Sequence, residues 1–184
     1  MFAIFEGNDP KYDDYIFSGI MEHSSKRLFY AIKNEGRFIT QSNVKDYPIM
    51  TSGKTTLNVG TRIQIDYDGK AQNRKWYQFM KDTLADKLQD FKLEWLGASC
   101  AYYMDVASGA SDIALECTRK GNLEMAIAYG LINESGGIMM TLDGKDIGNK
   151  KYFRFGQKPG EYIPVITAAT PALADRLIHH LNRK

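Results

Sequence analysis

The residues of this chain best suited to chemistry stand where small side chains open a helix. Gly97-Ala98-Ser99 immediately precedes the apolar positions Ala101, Tyr102 and Val106. A turn of small residues at a helix start exposes backbone amides that can receive an anion such as phosphate, or the oxygens of a sugar. Close packing of a strand against the helix calls for the same residue types, so both readings stay open here. Glu124, near the start of a second helical stretch, complements the positive end of its own helix, an effect of about 0.3–1 kcal/mol. His23 falls in a turn and His179-His180 late in the last helix; with no third ligand at metal spacing, all three read as surface residues. Asp66 and Asp68, flanking Tyr67 ahead of Gly69, and the string Asp9-Pro10-Lys11-Tyr12-Asp13-Asp14 have the chemistry of turns. Cys100 and Cys117 are too few for a metal knuckle and sit among apolar neighbours, as small buried thiols do. The sequence contains no Gly-x-Ser-x-Gly elbow, P-loop or dinucleotide fingerprint, and no residue is assigned a catalytic role.

Strands come first in the elements that must position these groups. Residues 2–6, 15–22, 28–32 and 37–40 are rich in aromatic and β-branched side chains. Turn chemistry separates them at Gly7-Asn8-Asp9-Pro10, Ser24-Ser25-Lys26 and Asn34-Glu35-Gly36, which predicts an antiparallel meander. Residues 41–55, with Pro48 and Gly53, read as a connector, and 61–67 alternate with period two as a half-buried strand. Strands and helices alternate from there. Helices are expected over 74–91, from Gly97 to Ser108-Gly109, over 123–134 with Asn122 as cap and Gly136 as left-handed stop, and from Thr170-Pro171 onward. Strands are expected at 92–96, 112–117, 138–142 and 163–168. The fold class is therefore α/β (α+β): a layered sandwich with an antiparallel N-terminal sheet followed by a mixed sheet flanked by helices. We read 1–184 as a single domain, with 1–55 forming the antiparallel layer and connector and 56–184 the α/β layer.

Composition narrows the function classes. A chain of 184 residues is long enough to bury a sizeable core. Its 24 basic and 22 acidic residues give a net charge of +2, and the basic pairs Lys26-Arg27, Arg74-Lys75, Arg119-Lys120 and Lys150-Lys151 are scattered. No basic stripe suited to nucleic acid or a membrane surface results. The start, MFAIFEGND, has too short an apolar run for a signal peptide and nothing approaches a spanning helix, so a cytoplasmic location is expected.

Three blocks occur in an order that resembles one known family. Residues 96–144 carry Gly97-Ala98-Ser99, Ser108-Gly109-Ala110, Leu123-Glu124, Glu134-Ser135-Gly136-Gly137 and Asp143-Gly144 in sequence. Weaker matches lie at Leu28-Phe29-Tyr30-Ala31 with Asn34-Glu35-Gly36-Arg37-Phe38, and at Ile166-Thr167-Ala168-Ala169-Thr170-Pro171-Ala172-Leu173. This pattern is similar to the C-terminal portion of the inositol monophosphatase and fructose-1,6-bisphosphatase-like superfamily. The resemblance implies magnesium-dependent hydrolysis of phosphate monoesters, with cations held by several carboxylates. The two motifs that supply most of those carboxylates, Gly-Glu-Glu and Asp-Pro-x-Asp-Gly-Thr, do not occur in this sequence.

By the same resemblance Glu124 stands where the family has the Asp of Trp-Asp, a metal ligand, here lengthened by one methylene. Gly97, Ala98 and Ser99 stand at the substrate-binding turn, and Glu116 near a substrate-contacting acid, although strand alternation would turn it to the opposite face. Glu94-Trp95 replaces the usual Arg-Ser, setting an anion where a cation would favour phosphate. The expectation is a domain inactive alone, binding a phosphate or sugar ligand or serving assembly, with Mg2+ a cofactor only if a partner completes the site. The alternative is a phosphomonoesterase for inositol, sugar or nucleotide phosphates, completed by a partner chain or an N-terminal segment. The resemblance also implies that a pair of helices normally covers the first sheet; without them a homodimer or a partner chain is expected to do so, since soluble monomers seldom expose large apolar patches.

Overall fold

The computed structural model describes residues 1–41, 46–66, 82, 92–94, 98–116, 123–152 and 164–182. The helix expected over 74–91, Gly97, Cys117, Asn122 and Asp68 lie outside the described residues. The expected meander is present as Phe2–Phe5 (β1), Tyr15–Glu22 (β2), Arg27–Ile32 (β3) and Gly36–Gln41 (β4), all antiparallel and in sequence order. The β3–β4 hairpin turns through Asn34 at φ 62° and Gly36 at φ 118°, left-handed conformations that Asn tolerates and Gly adopts freely. The connector departs from expectation in one respect: Tyr47–Pro48 (β5) pairs with β4 as a fifth strand. Proline is tolerated at that edge because its missing N–H is needed by no further neighbour. At the other edge a β-bulge between Ile4 and Phe5 breaks the register of β1 on β2.

The second sheet is mixed. Its order is Lys92–Glu94 (β7), Arg62–Asp66 (β6), Ile113–Glu116 (β8), Val165–Ala168 (β10) and Ile138–Thr141 (β9). β6 runs parallel to both β7 and β8, while β10 is antiparallel to β8 and β9. All four residues of β8 and all four of β10 are buried, as expected of central strands covered on both faces.

Helix Ser99–Ala107 (α1) and helix Leu123–Glu134 (α2) lie between the two sheets, and Pro171–Asn182 (α3) covers the far side of the second. Every residue of α2 from Met125 to Ile132 is buried, so this helix has no solvent face along its middle two turns. It reaches β2 so closely that a Cβ on Gly130 would overlap Ser18 Oγ and lie 2.5 Å from Tyr15 Cδ2. Gly136, at φ 87°, stops α2 in the expected left-handed conformation. α3 is amphipathic, burying Leu173, Leu177 and Leu181, and Thr170 Oγ1 accepts from the Leu173 amide at 3.1 Å as the expected cap.

Two polar and aromatic devices hold the layers in register. Asp112, just ahead of β8, accepts from Ser52 Oγ (2.6 Å) and the Arg62 amide (2.9 Å) and pairs with Lys54 (3.4 Å). Thr51 Oγ1 donates to the Ala169 carbonyl (2.8 Å), so the segment joining the two sheets is strapped across the start of β8 and the end of β10. Between the sheets, Tyr129 of α2 meets Tyr12 and Tyr15 with ring centroids 6.0 and 5.9 Å away. Burial raises the phenol pKa of all three well above the usual value, and carboxylates add to it at two of them, Glu134 beside Tyr15 and Asp146 beside Tyr129.

Two outcomes follow from this packing. Gly130→Ala gains helix propensity but overpacks the α2–β2 contact, and we expect a net loss of about 1–3 kcal/mol in urea unfolding; an unchanged midpoint would show that β2 gives way freely. The buried phenols titrate above their unfolded value near 10, so the neutral form favours the folded state. That contribution is complete below about pH 10 and declines as pH rises further toward the folded values. Tyrosinate absorbance should therefore show part of the 11 tyrosines ionising only as the fold is lost.

Candidate functional site

Parallel strands bring their C-terminal ends to one edge, and helices that follow them return their N-termini to the same edge; in open α/β sheets this is where ligands bind. Here β6, β7 and β8 end together at Asp66, Glu94 and Glu116, with Asp66 paired in register with Glu116. α1 follows β7 and α2 follows β8. The N-cap of α1 is Ala98, extended at φ −141° and ψ 95°, whose methyl side chain makes no capping hydrogen bond. The first turn of α1 and the positive end of its helix dipole lie at this edge.

Ser99 and Glu116 meet here. Ser99, 1 % exposed, donates from Oγ to Glu116 Oε2 at 2.7 Å, and Glu116 is itself only 7 % exposed. The face of Glu116 follows from alternation: Ile113 and Leu115 pack toward α3, whereas Ala114 belongs to the core containing α1 and α2. Glu116 shares the Ala114 face, so it looks toward the helices rather than away from them. α1 is braced against β6 by Gln64 Nε2 donating to Asp105 Oδ2 (2.7 Å) and by the Tyr102 phenol, whose OH donates to the Ile65 carbonyl (3.3 Å).

Glu124 remains on its own element, the first turn of α2, half-buried. Its Oε2 is buried and has no hydrogen-bond partner among the described residues. Gly97 of the expected anion-binding turn lies outside those residues; Ala98 is exposed and Ser99 buried. His23 and His179 are exposed, as expected of surface residues. Asp66, within the strand expected over 61–67, ends β6 in register with Glu116.

A resident magnesium needs several converging oxygen donors. Among the described residues no group of three or more His, Cys, Asp or Glu side chains could hold a metal ion. Glu116 already accepts from Ser99, and the orphan oxygen of Glu124 is one hard donor. The described residues therefore do not fit a magnesium site built from this chain's donors alone. What the pair at α1 can do is accept hydroxyl protons: a carboxylate beside helix amides suits a polyhydroxyl group, which donates and accepts, better than a bare phosphate, which it repels.

No protein-family model matches this sequence, and no curated protein matches it significantly. Solved structures do match. A hypothetical protein from Pyrococcus horikoshii, described as having similarities to inositol-1 monophosphatase, is 21% identical with a TM-score of 0.68, covering 98% of this chain and 61% of that one. The extragenic suppressor protein suhB from Bartonella henselae is 16% identical with a TM-score of 0.71, covering 92% and 57%. An IMPase/NADP phosphatase solved with Mg2+ and phosphate is 21% identical with a TM-score of 0.64, covering 94% and 56%. The chain thus has the fold of inositol monophosphatase structures and spans about three-fifths of their length. No helix of the described residues is long and apolar enough to cross a membrane.

The Ser99–Glu116 bond generates a direct test. Ser99→Ala removes the donor from a buried carboxylate and should cost about 1–3 kcal/mol in urea unfolding. Glu116→Gln keeps an acceptor and should cost less, and the double variant should lose less than the sum of the two. Strict additivity would mean that this bond does not hold α1 on β8.

Proposed function

We propose that this chain is a binding or assembly domain built on the inositol monophosphatase fold and catalytically incomplete by itself. The observation that supports it is the buried Ser99–Glu116 pair at the start of α1. A carboxylate already committed to a serine, in front of helix amides, is a poor metal ligand and a good acceptor for ligand hydroxyls. The ligand class is a sugar or cyclic polyol, with any phosphate it carries held away from Glu116. Ala98 and Ser99 would meet the ligand through the backbone, and Glu116 through its carboxylate. We place the protein in the cytoplasm, where the Cys100 thiol stays reduced.

A second reading is favoured by one specific group, the unpartnered Oε2 of Glu124. It is one hard-oxygen donor of a magnesium-dependent phosphomonoesterase whose other donors would come from another polypeptide or a further segment. The likeness to a phosphatase solved with Mg2+ and phosphate supports the same reading. Phosphate release from inositol, sugar and nucleotide monophosphates, measured with magnesium and with or without lithium, separates the two. The isolated chain should release none above background. Turnover by this chain alone that disappears in Glu124→Gln would overturn the first reading, and turnover only on adding a second polypeptide would establish the alternative.

A further inference from the structure

An apolar pocket opens beside the starts of the two inner helices. Its volume is about 320 Å³, and none of the residues that line it is charged. Ala126 and Ile127 of α2, 1% and 2% exposed, form its floor. One wall is aromatic. Phe5 and Tyr152 stack with ring centroids 5.7 Å apart and planes 5° from parallel, and Tyr12 braces Tyr152 edge-on at 6.1 Å. The backbone fixes this wall, since the Tyr152 amide donates to the Pro10 carbonyl (2.9 Å) and the Tyr12 amide to the Lys150 carbonyl (3.1 Å). Met1, Phe2 and Leu123 stand at the rim, each at least half exposed.

We propose that this pocket is a subsite for a neutral aromatic group of one or two rings, carried as a substituent by the polyol that Glu116 receives. The inference rests on the polyol reading above and narrows it: the ligand is an aryl glycoside or an aryl-substituted cyclic polyol rather than a free sugar. Size supports a ring system. An apolar cavity of about 150 Å³ already holds one benzene, so this pocket accommodates a fused pair, and its volume lies at the lower end of small-molecule sites. The lining supports it as well. A further ring extends the Phe5–Tyr152 stack or meets it edge-on, and the unbranched thioether of Met1 can fold against a ring. An ionised group would lose its hydration there without a counter-ion.

Position ties the pocket to the candidate site. Leu123 at the rim is the first residue of α2, and Met1 Sδ lies 2.8 Å from Cys100 Sγ, the residue that follows Ser99 in α1. A polyol bound at the helix starts thus has an apolar cavity next to it, in which a ring substituent leaves water. Seating that ring also covers the rim, where Met1, Phe2 and Leu123 are otherwise exposed.

Titration calorimetry of the whole chain with 2-naphthyl β-D-glucopyranoside, methyl β-D-glucopyranoside and 2-naphthol tests the proposal. The naphthyl glucoside should bind roughly 10- to 100-fold more tightly than the methyl glucoside. Ala3→Leu, which fills the pocket from β1, should reduce that ratio to below about threefold. Leu123→Lys, at the exposed rim, should lower it in the same direction should the first variant fold poorly. Glu116→Gln should weaken both glucosides and leave 2-naphthol unchanged. Equal affinity for the two glucosides, or an aromatic preference that survives both pocket substitutions, would overturn the subsite while sparing the polyol reading. Binding of 2-naphthol, lost in Ala3→Leu, with neither glucoside bound would overturn the proposal from the other side, through the polyol reading on which it rests.

Discussion

The structure is organised around a helix that has no polar side. α2 is sealed along Met125 to Ile132, so it holds its place only if β2 and β3 cover one flank, α1 another and the second sheet the rest. A twelve-residue segment of this composition would be marginal as an isolated helix and insoluble as an exposed one. Its helicity is set by tertiary burial, and the two sheets are joined less by contacts with each other than by contacts with it. The strap at residues 49–58, fastened to Asp112 and Ala169, closes the second sheet against the connector and fixes where the first sheet can lie.

That arrangement determines what the candidate site can be. Because α1 and α2 are both internal, their N-termini open at the edge where β6, β7 and β8 end, and Glu116 there is withdrawn from water. A withdrawn carboxylate is tolerated only when something donates to it, and Ser99 does so for Glu116. Glu124, one helix away, has no such donor for Oε2 among the described residues. Two acids near helix starts thus differ in surroundings: Glu116 receives a serine hydroxyl, whereas Glu124 keeps one oxygen without a partner among the described residues.

Much of this was legible from residues alone, and the exceptions have physical causes. Alternation and turn chemistry identify β1 to β4, and Thr170, Pro171 and Gly136 mark helix ends by mechanisms that act within a few residues. Tyr47–Pro48 escaped because two residues, one a proline, carry no period. The burial of α2 on every side leaves no polar stripe to reveal its orientation, so sequence shows a helix but not which sheets enclose it. Gly97-Ala98-Ser99 and Glu116 were picked out separately, each by a resemblance in its own block. That the serine hydroxyl would meet the carboxylate depends on β6 pairing with β8 and on α1 crossing the Ala114 face, which no local pattern encodes. The alternation over 61–67 already puts Asp66 on its strand, whereas its register opposite Glu116 depends on β6 pairing with β8.

The bulge at Ile4 and Phe5 has a bearing on how far self-association can go. An open sheet with a regular border invites strand after strand from neighbouring molecules, and such growth has no natural end. The irregular step in β1 spoils the spacing of amides along that border, and Pro48 withholds a donor at the opposite one. Lateral zippering is thereby discouraged at both margins, which works against fibril growth.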